Sequence, residues 1–150
     1  MYSYFVLGLT LAIVIGCGKN SDTALQEGFP RFVENFHLRL QHQYYEPRTA
    51  PVGVVIKLSD KPQTTLVGTR GIAVFTQAET TNDIDRDVRI TLTFVRQAKR
   101  WELTDGKAQV IAQAKRGKQK EAVASEPTDA LANEDYALRI RAALAATPPE

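Results

Sequence analysis

Residues 88–105 read VRITLTFVRQAKRWELTD, and the period of this stretch decides the fold. Val88, Ile90, Leu92 and Phe94 fall on one side of an extended chain and Arg89, Thr91 and Thr93 on the other, the alternation of a strand with one buried face. The turn Gln97-Ala98-Lys99-Arg100 then sends the chain back, setting Arg96 opposite Trp101 and Phe94 opposite Leu103 in an antiparallel pair.

Upstream the same period recurs. Val52, Val54, Ile56 and Leu58 alternate with Gly53, Val55, Lys57 and Ser59, giving a strand with one apolar face. A turn at Asp60-Lys61-Pro62-Gln63 leads into a second β-rich run, residues 64–77. Gly68 and Gly71 interrupt this run and predict a single curved strand. Residues 78–85 are polar and read as a loop. Before all of these, Phe32, Val33, Phe36, Leu40 and Tyr44 recur at three- and four-residue spacing, the stripe of an amphipathic helix over residues 30–46 that Pro30 opens and Pro47 ends.

The expected class is therefore α+β: one long amphipathic helix packed on a curved four-stranded antiparallel meander, plus a C-terminal helix. The order of elements and the closing segment Lys99-Arg100-Trp101-Glu102-Leu103-Thr104-Asp105 resemble the cystatin-like and NTF2-like group of small α+β domains. That resemblance covers about half the chain. It implies a cone between helix and sheet, in which some members hold an Asp base and a Tyr donor. In this chain those roles would fall to Tyr44, Tyr45 and an inward acid such as Asp105.

Downstream, residues 107–119 could continue the last strand or form a short helix. The run Lys115-Arg116-Gly117-Lys118-Gln119-Lys120 is basic and residues 121–126 are small and polar, so residues 111–127 are expected to be a flexible linker. A terminal helix is expected over residues 128–146. Pro127 stands at its start, Asp129, Glu134 and Asp135 lie early, Arg139 and Arg141 late, and the stripe is Leu131, Leu138, Ala142 and Ala145, with Tyr136 and Ile140 on a neighbouring face.

The opening sixteen residues, MYSYFVLGLTLAIVIG, carry no charged side chain. Their apolar run is the length of a signal-peptide core and shorter than the roughly 20 residues of a spanning helix. It ends in Val14-Ile15-Gly16-Cys17, which resembles the lipobox of bacterial lipoproteins. The resemblance implies a signal peptide over residues 1–16, lipid on the Cys17 thiol, and a polar tether over residues 17–28. The domain proper is then expected over residues 29–110. Because Gly18 rather than Asp follows Cys17, the resemblance implies the periplasmic face of the outer membrane. An n-region without Lys or Arg departs from the usual pattern.

Composition narrows the chemistry. One Cys among 150 residues excludes a disulfide scaffold and a multi-Cys zinc site. Nineteen basic against 17 acidic side chains leave a net charge of +2, short of the basic stripe of a nucleic-acid binder. His37 and His42 lie about 140° apart on a helix and do not make an i, i+4 metal pair. Asp83, Asp85 and Asp87 alternate, but an EF-hand would need Gly at Val88 and Glu at Phe94, so they are expected to solvate a turn and guard an edge strand. No phosphate loop, nucleophile elbow or internal repeat is present. What remains is binding. Arg96, Lys99 and Arg100, with Lys115, Arg116, Lys118 and Lys120, are candidate contacts for an anion or partner. The reading is a non-catalytic, lipid-anchored module with no cofactor or metal, an envelope-protein partner and no nucleic acid. The alternative is a small-ligand binder or enzyme using the cone.

Overall fold

A computed structural model describes residues 18–48, 50–58 and 61–149. Cys17, the lipobox and the leader lie outside the described residues, as do Ser59 and Asp60 of the expected turn. The architecture is α+β: an N-terminal helix, an antiparallel sheet and a C-terminal helix.

Helix α1 spans Gly18–Gln43. It starts earlier than the expected helix, so residues 18–28, expected as a tether, are helical. Pro30 sits inside it and removes one bond of the ladder without ending the helix. The expected stripe faces the core: Phe32, Val33, Phe36, Leu40 and Tyr44 are all buried, joined by Phe29.

Among the described residues the sheet has seven strands, β1 Val55–Leu58, β2 Gln63–Val67, β3 Arg70–Thr80, β4 Ile84–Gln97, β5 Arg100–Lys115, β6 Glu121–Ala122 and β7 Thr128–Asp129. The long strands β3, β4 and β5 lie side by side. On one outer edge β1 and β2 pair with opposite ends of β3, and on the other β6 and β7 pair with β5. Four strands were expected, and the structure departs from that expectation in three places. First, residues 64–77 are not one curved strand but a hairpin: Val67 pairs with Arg70, and Gly68 at φ 59° makes the turn. Second, the loop expected over residues 78–85 shrinks to residues 81–83, because β3 runs on to Thr80 and β4 starts at Ile84. Third, residues 121–130 do not form a loose linker. The Val123 N–H donates to Ile111 O at 3.0 Å, the Ser125 hydroxyl to Val110 O at 2.8 Å, and the Ala130 N–H to Gly106 O at 2.9 Å, so this segment satisfies and covers the edge of β5. The first strand is also shorter than expected. Gly53 at φ 71° breaks the extended run after Pro51 and leaves Val52 98% exposed.

The β4–β5 register matches the reading of residues 88–105. Phe94 stands opposite Leu103 and Arg96 opposite Trp101. The core forms where α1 crosses this hairpin. Phe29 and Trp101 have ring centroids 4.5 Å apart, Phe32 and Phe94 5.4 Å, and Phe36 and Phe94 6.0 Å. Burying each such ring stabilises the fold by roughly 1.5–3 kcal/mol. Gly71 of β3 lies directly under Phe29, so the ring reaches the sheet backbone.

Helix α2 spans Glu134–Ala146, not residues 128–146. Thr128 and Asp129 are instead paired with Ala108 and Lys107 of β5. The Asp129 carboxylate then accepts from the Leu131 N–H at 2.8 Å, and Asn133 caps the helix by accepting from the N–H groups of Asp135 and Tyr136. The buried face is also not the expected stripe. Ala137, Ile140 and Ala143 are buried, while Leu138, expected on the stripe, is 55% exposed.

Candidate functional site

Among the described residues, two places bring chemistry-bearing side chains together. One lies inside, where the inward alternation of β3 turns polar: after Ala73 and Phe75 come Gln77 and Glu79, each almost fully buried. The Tyr44 hydroxyl donates to Gln77 Oε1 at 2.8 Å, and Gln77 Nε2 donates to Glu79 Oε1 at 2.7 Å. The Tyr136 hydroxyl also donates to Glu79 Oε1. Arg86, the cross-strand partner of Glu79, donates from Nε to Oε2 at 2.5 Å. The Arg139 guanidinium lies 5.7 Å from the Tyr44 ring centroid. Burial, reinforced at Tyr136 by the Glu79 charge, pushes both phenols well above their ordinary value.

A tyrosine and an acid thus meet between helix and sheet, but they are not the groups the NTF2-like resemblance singles out, Tyr44 excepted. Tyr45 is exposed. Asp105 is on the wrong face because the β4–β5 pair is bulged between Thr93 and Phe94. Asp105 stands opposite Thr93, whereas Leu103 stands opposite Phe94, and the extra Thr104 turns the acid away from the core. The space beside the cluster, walled by Leu40, Phe75, Ile90 and Ile140, has no room for a water molecule. Each polar group there is spent on a neighbour, an arrangement that rigidifies a core.

The second place is open. At the β4–β5 turn, Arg96, Lys99, Arg100 and Trp101 wall a cavity of about 300 Å³ with Phe32 and the end of α2. Arg96 lies over the indole of Trp101, 5.3 Å from the ring centroid. The Trp101 Nε1 is buried without a hydrogen-bond partner among the described residues. A wider groove of about 760 Å³ adjoins this cavity along α1, sharing Phe32, Arg96, Pro148 and Pro149 and adding Leu25, Glu27 and Arg31. The turn beneath is conformationally costly. Ala98 and Lys99 have φ of 45° and 69°, a pair of values that favours Asn and Gly.

The seven basic side chains singled out from the sequence do not form one site. Arg96, Lys99 and Arg100 share the cavity at one end of β5, while Lys115 and the residues after it lie at the other, roughly 50 Å away along the strand. At that far end the basic run folds onto the acidic one. The Gly117 N–H donates to Asp85 Oδ2 at 3.0 Å, which holds that carboxyl below its ordinary value, and Lys120 pairs with Asp87. Asp83 lies in the loop before β4, and Asp85 and Asp87 do not guard an edge, since β4 lies between β3 and β5. They fasten the turn that leads into β6.

His37 is buried against Phe75, ring centroids 5.2 Å apart. Sequence reasoning missed Gln77 and Glu79. Carrying the period of two past Phe75 would have placed both inward. Among the described residues no group of His, Cys, Asp and Glu could hold a metal ion, and no helix is long and apolar enough to cross a membrane. The chain matches no family model, no curated protein and no solved structure.

Proposed function

We propose that the chain is a lipid-anchored module of a bacterial envelope, held through Cys17 at the periplasmic face of the outer membrane, and that it works by binding an envelope protein rather than by catalysis. The observation that carries this reading is the filled space between α1 and the sheet. Phe32, Phe36, Leu92 and Phe94 are each at most 7% exposed, where an enzyme built on the resemblance to NTF2-like domains would keep an open cone with polar groups converging on it. Helix α2 supplies the docking element: it seats Ile140 and Ala143 in the core and leaves Leu138 outward, beside Leu131 and Arg141 on a shallow groove.

The alternative, a small-ligand binder or enzyme using the cone, draws on one observation, the meeting of Tyr44, Gln77, Glu79 and Tyr136. It would require α2 to lift and carry Tyr136 away from Glu79.

Expression with the native N-terminus in a bacterial host tests the anchor. The expected product begins at Cys17 and is heavier by a diacylglyceryl group, and Cys17→Ser stays an unprocessed precursor; a full-length unmodified wild-type chain refutes the localisation. Photocrosslinking from position 138 in that host tests the docking face. The expected result is one discrete protein adduct that is absent when the crosslinker stands at position 57. Adducts indistinguishable from those at position 57 refute it.

A further inference from the structure

The basic cavity at the β4–β5 turn lies beside the half of α1 that leads to Cys17. From Gly18 to Ala24, the first groove residue, six helical residues span about 9 Å, comparable to the depth of a headgroup layer. We propose that this cavity and its adjoining groove bind the phosphate-bearing headgroup of an anionic phospholipid in the membrane to which the chain is anchored. The proposal deepens the anchoring reading above and rests on it for the choice of a lipid over other anions.

Charge and shape support that occupant. Among the described residues, Arg31, Arg96, Lys99 and Arg100 line the two connected spaces together with the acid Glu27. A guanidinium fork matches phosphate oxygens, and Arg96 is held on the cavity wall by the face of Trp101. The Trp101 indole forms part of the cavity wall, and its N–H is buried without a hydrogen-bond partner among the described residues. Leu25 and Phe32 give the groove an apolar flank for the glycerol and the first methylenes. A solvated basic surface needs none of these features. The clustered cations at the other end of β5, tied in part to Asp85 and Asp87, have no such cavity.

The single tryptophan makes the test direct. The full chain is placed in nanodiscs of phosphatidylcholine, with or without phosphatidylglycerol, where either the lipid or the uncleaved leader holds it. The indole N–H cross-peak of Trp101 is then followed by proton–nitrogen NMR. The expected result is a shift on adding phosphatidylglycerol that R96Q/K99Q/R100Q weakens about tenfold or more and K115Q/R116Q/K118Q leaves within about twofold. No shift overturns the proposal. So does an equal shift from inorganic phosphate with phosphatidylcholine discs, which would make the cavity a free-phosphate site. Equal loss in both triple variants would reduce the effect to net charge and overturn it too. Intact mass separates the two readings: unmodified Cys17 with the shift present rejects the lipid anchor alone, and lipidated Cys17 without the shift rejects the headgroup site alone.

Discussion

Replacing Gly71 with Ala should destabilise the protein, although general rules for that substitution point the other way. Gly71 lies in β3, where φ is negative, and an Ala in a strand interior is ordinarily better than Gly by roughly 0.5–1 kcal/mol because it narrows the unfolded ensemble. Here the new methyl would come within 2.7 Å of three ring carbons of Phe29. The ring cannot swing aside freely. It is fully buried, 4.5 Å from Trp101 and 6.0 Å from Phe94 between centroids. Overpacking of this kind costs about 1–3 kcal/mol, more than the entropic gain, so the net loss should be about 1–2 kcal/mol. For a chain of this size that lowers the melting temperature by about 3–6 °C.

Urea unfolding followed by Trp101 fluorescence measures this loss. A double-mutant cycle with Phe29→Leu assigns its cause. If the ring is what the methyl meets, Gly71→Ala should cost less when combined with Phe29→Leu than alone, with a coupling of at least about 0.5 kcal/mol. A Gly71→Ala protein as stable as the parent, or a coupling near zero, would mean that α1 does not press Phe29 onto the sheet at this point. The core packing described above would then be wrong.

Three further outcomes follow from the same packing. Burial pulls the His37 imidazole below its ordinary value of 6.5, so the unfolded chain takes up the proton more readily; stability should fall as pH drops below that value, and His37→Gln should flatten urea midpoints measured between about pH 7 and 5. Burial raises the Tyr44 and Tyr136 phenols above 10.0, so their contribution is intact below that pH and lost above it. Tyr136→Phe should cost about 1–3 kcal/mol at neutral pH and reduce the alkaline loss, and an unchanged alkaline profile would count against it. Exchanging Ala98-Lys99 for Asn-Gly, by A98N together with K99G, should raise stability by about 1 kcal/mol in thermal unfolding, because both positions have positive φ.

The long elements were legible because their period repeats over many residues. Five stripe positions fix the exposed and buried sides of α1, and four alternating positions fix β4, which is enough to predict which residues of the β4–β5 hairpin meet. What was not legible depends on partners remote in sequence. Two-residue strands such as β6 and β7 have no period to read; they exist because the edge of β5 offers unpaired carbonyls to a passing chain. The start of α2 was misplaced because Pro127 and Asp129 look like an opening turn, while Asn133, the true cap, is one polar residue among several. The bulge that turns Asp105 outward is equally invisible, since Thr104 is an ordinary strand residue and only the register against β4 makes it extra. Gly68 is different. A glycine between two alternating runs is the mark of a hairpin turn, and reading it as an interruption within one strand mistook topology for curvature.

The basic cavity combines a legible part with an illegible one, and its turn shows why that matters. The cations at positions 96, 99 and 100 are plain in the sequence, but only the return of α2 and of Pro148-Pro149 to the β4–β5 turn converts them into walls of a cavity. At this same turn the chain holds two non-glycine residues at positive φ, a local cost that an Asn-Gly pair would remove. Lys99 is one of them. If the lysine is kept there to meet a headgroup phosphate, the Asn-Gly exchange should trade binding for stability: a higher melting temperature together with a weaker response of the Trp101 indole to phosphatidylglycerol. A gain in stability with the full response intact would detach the strained turn from the site and leave Arg96 and Arg100 as its working cations.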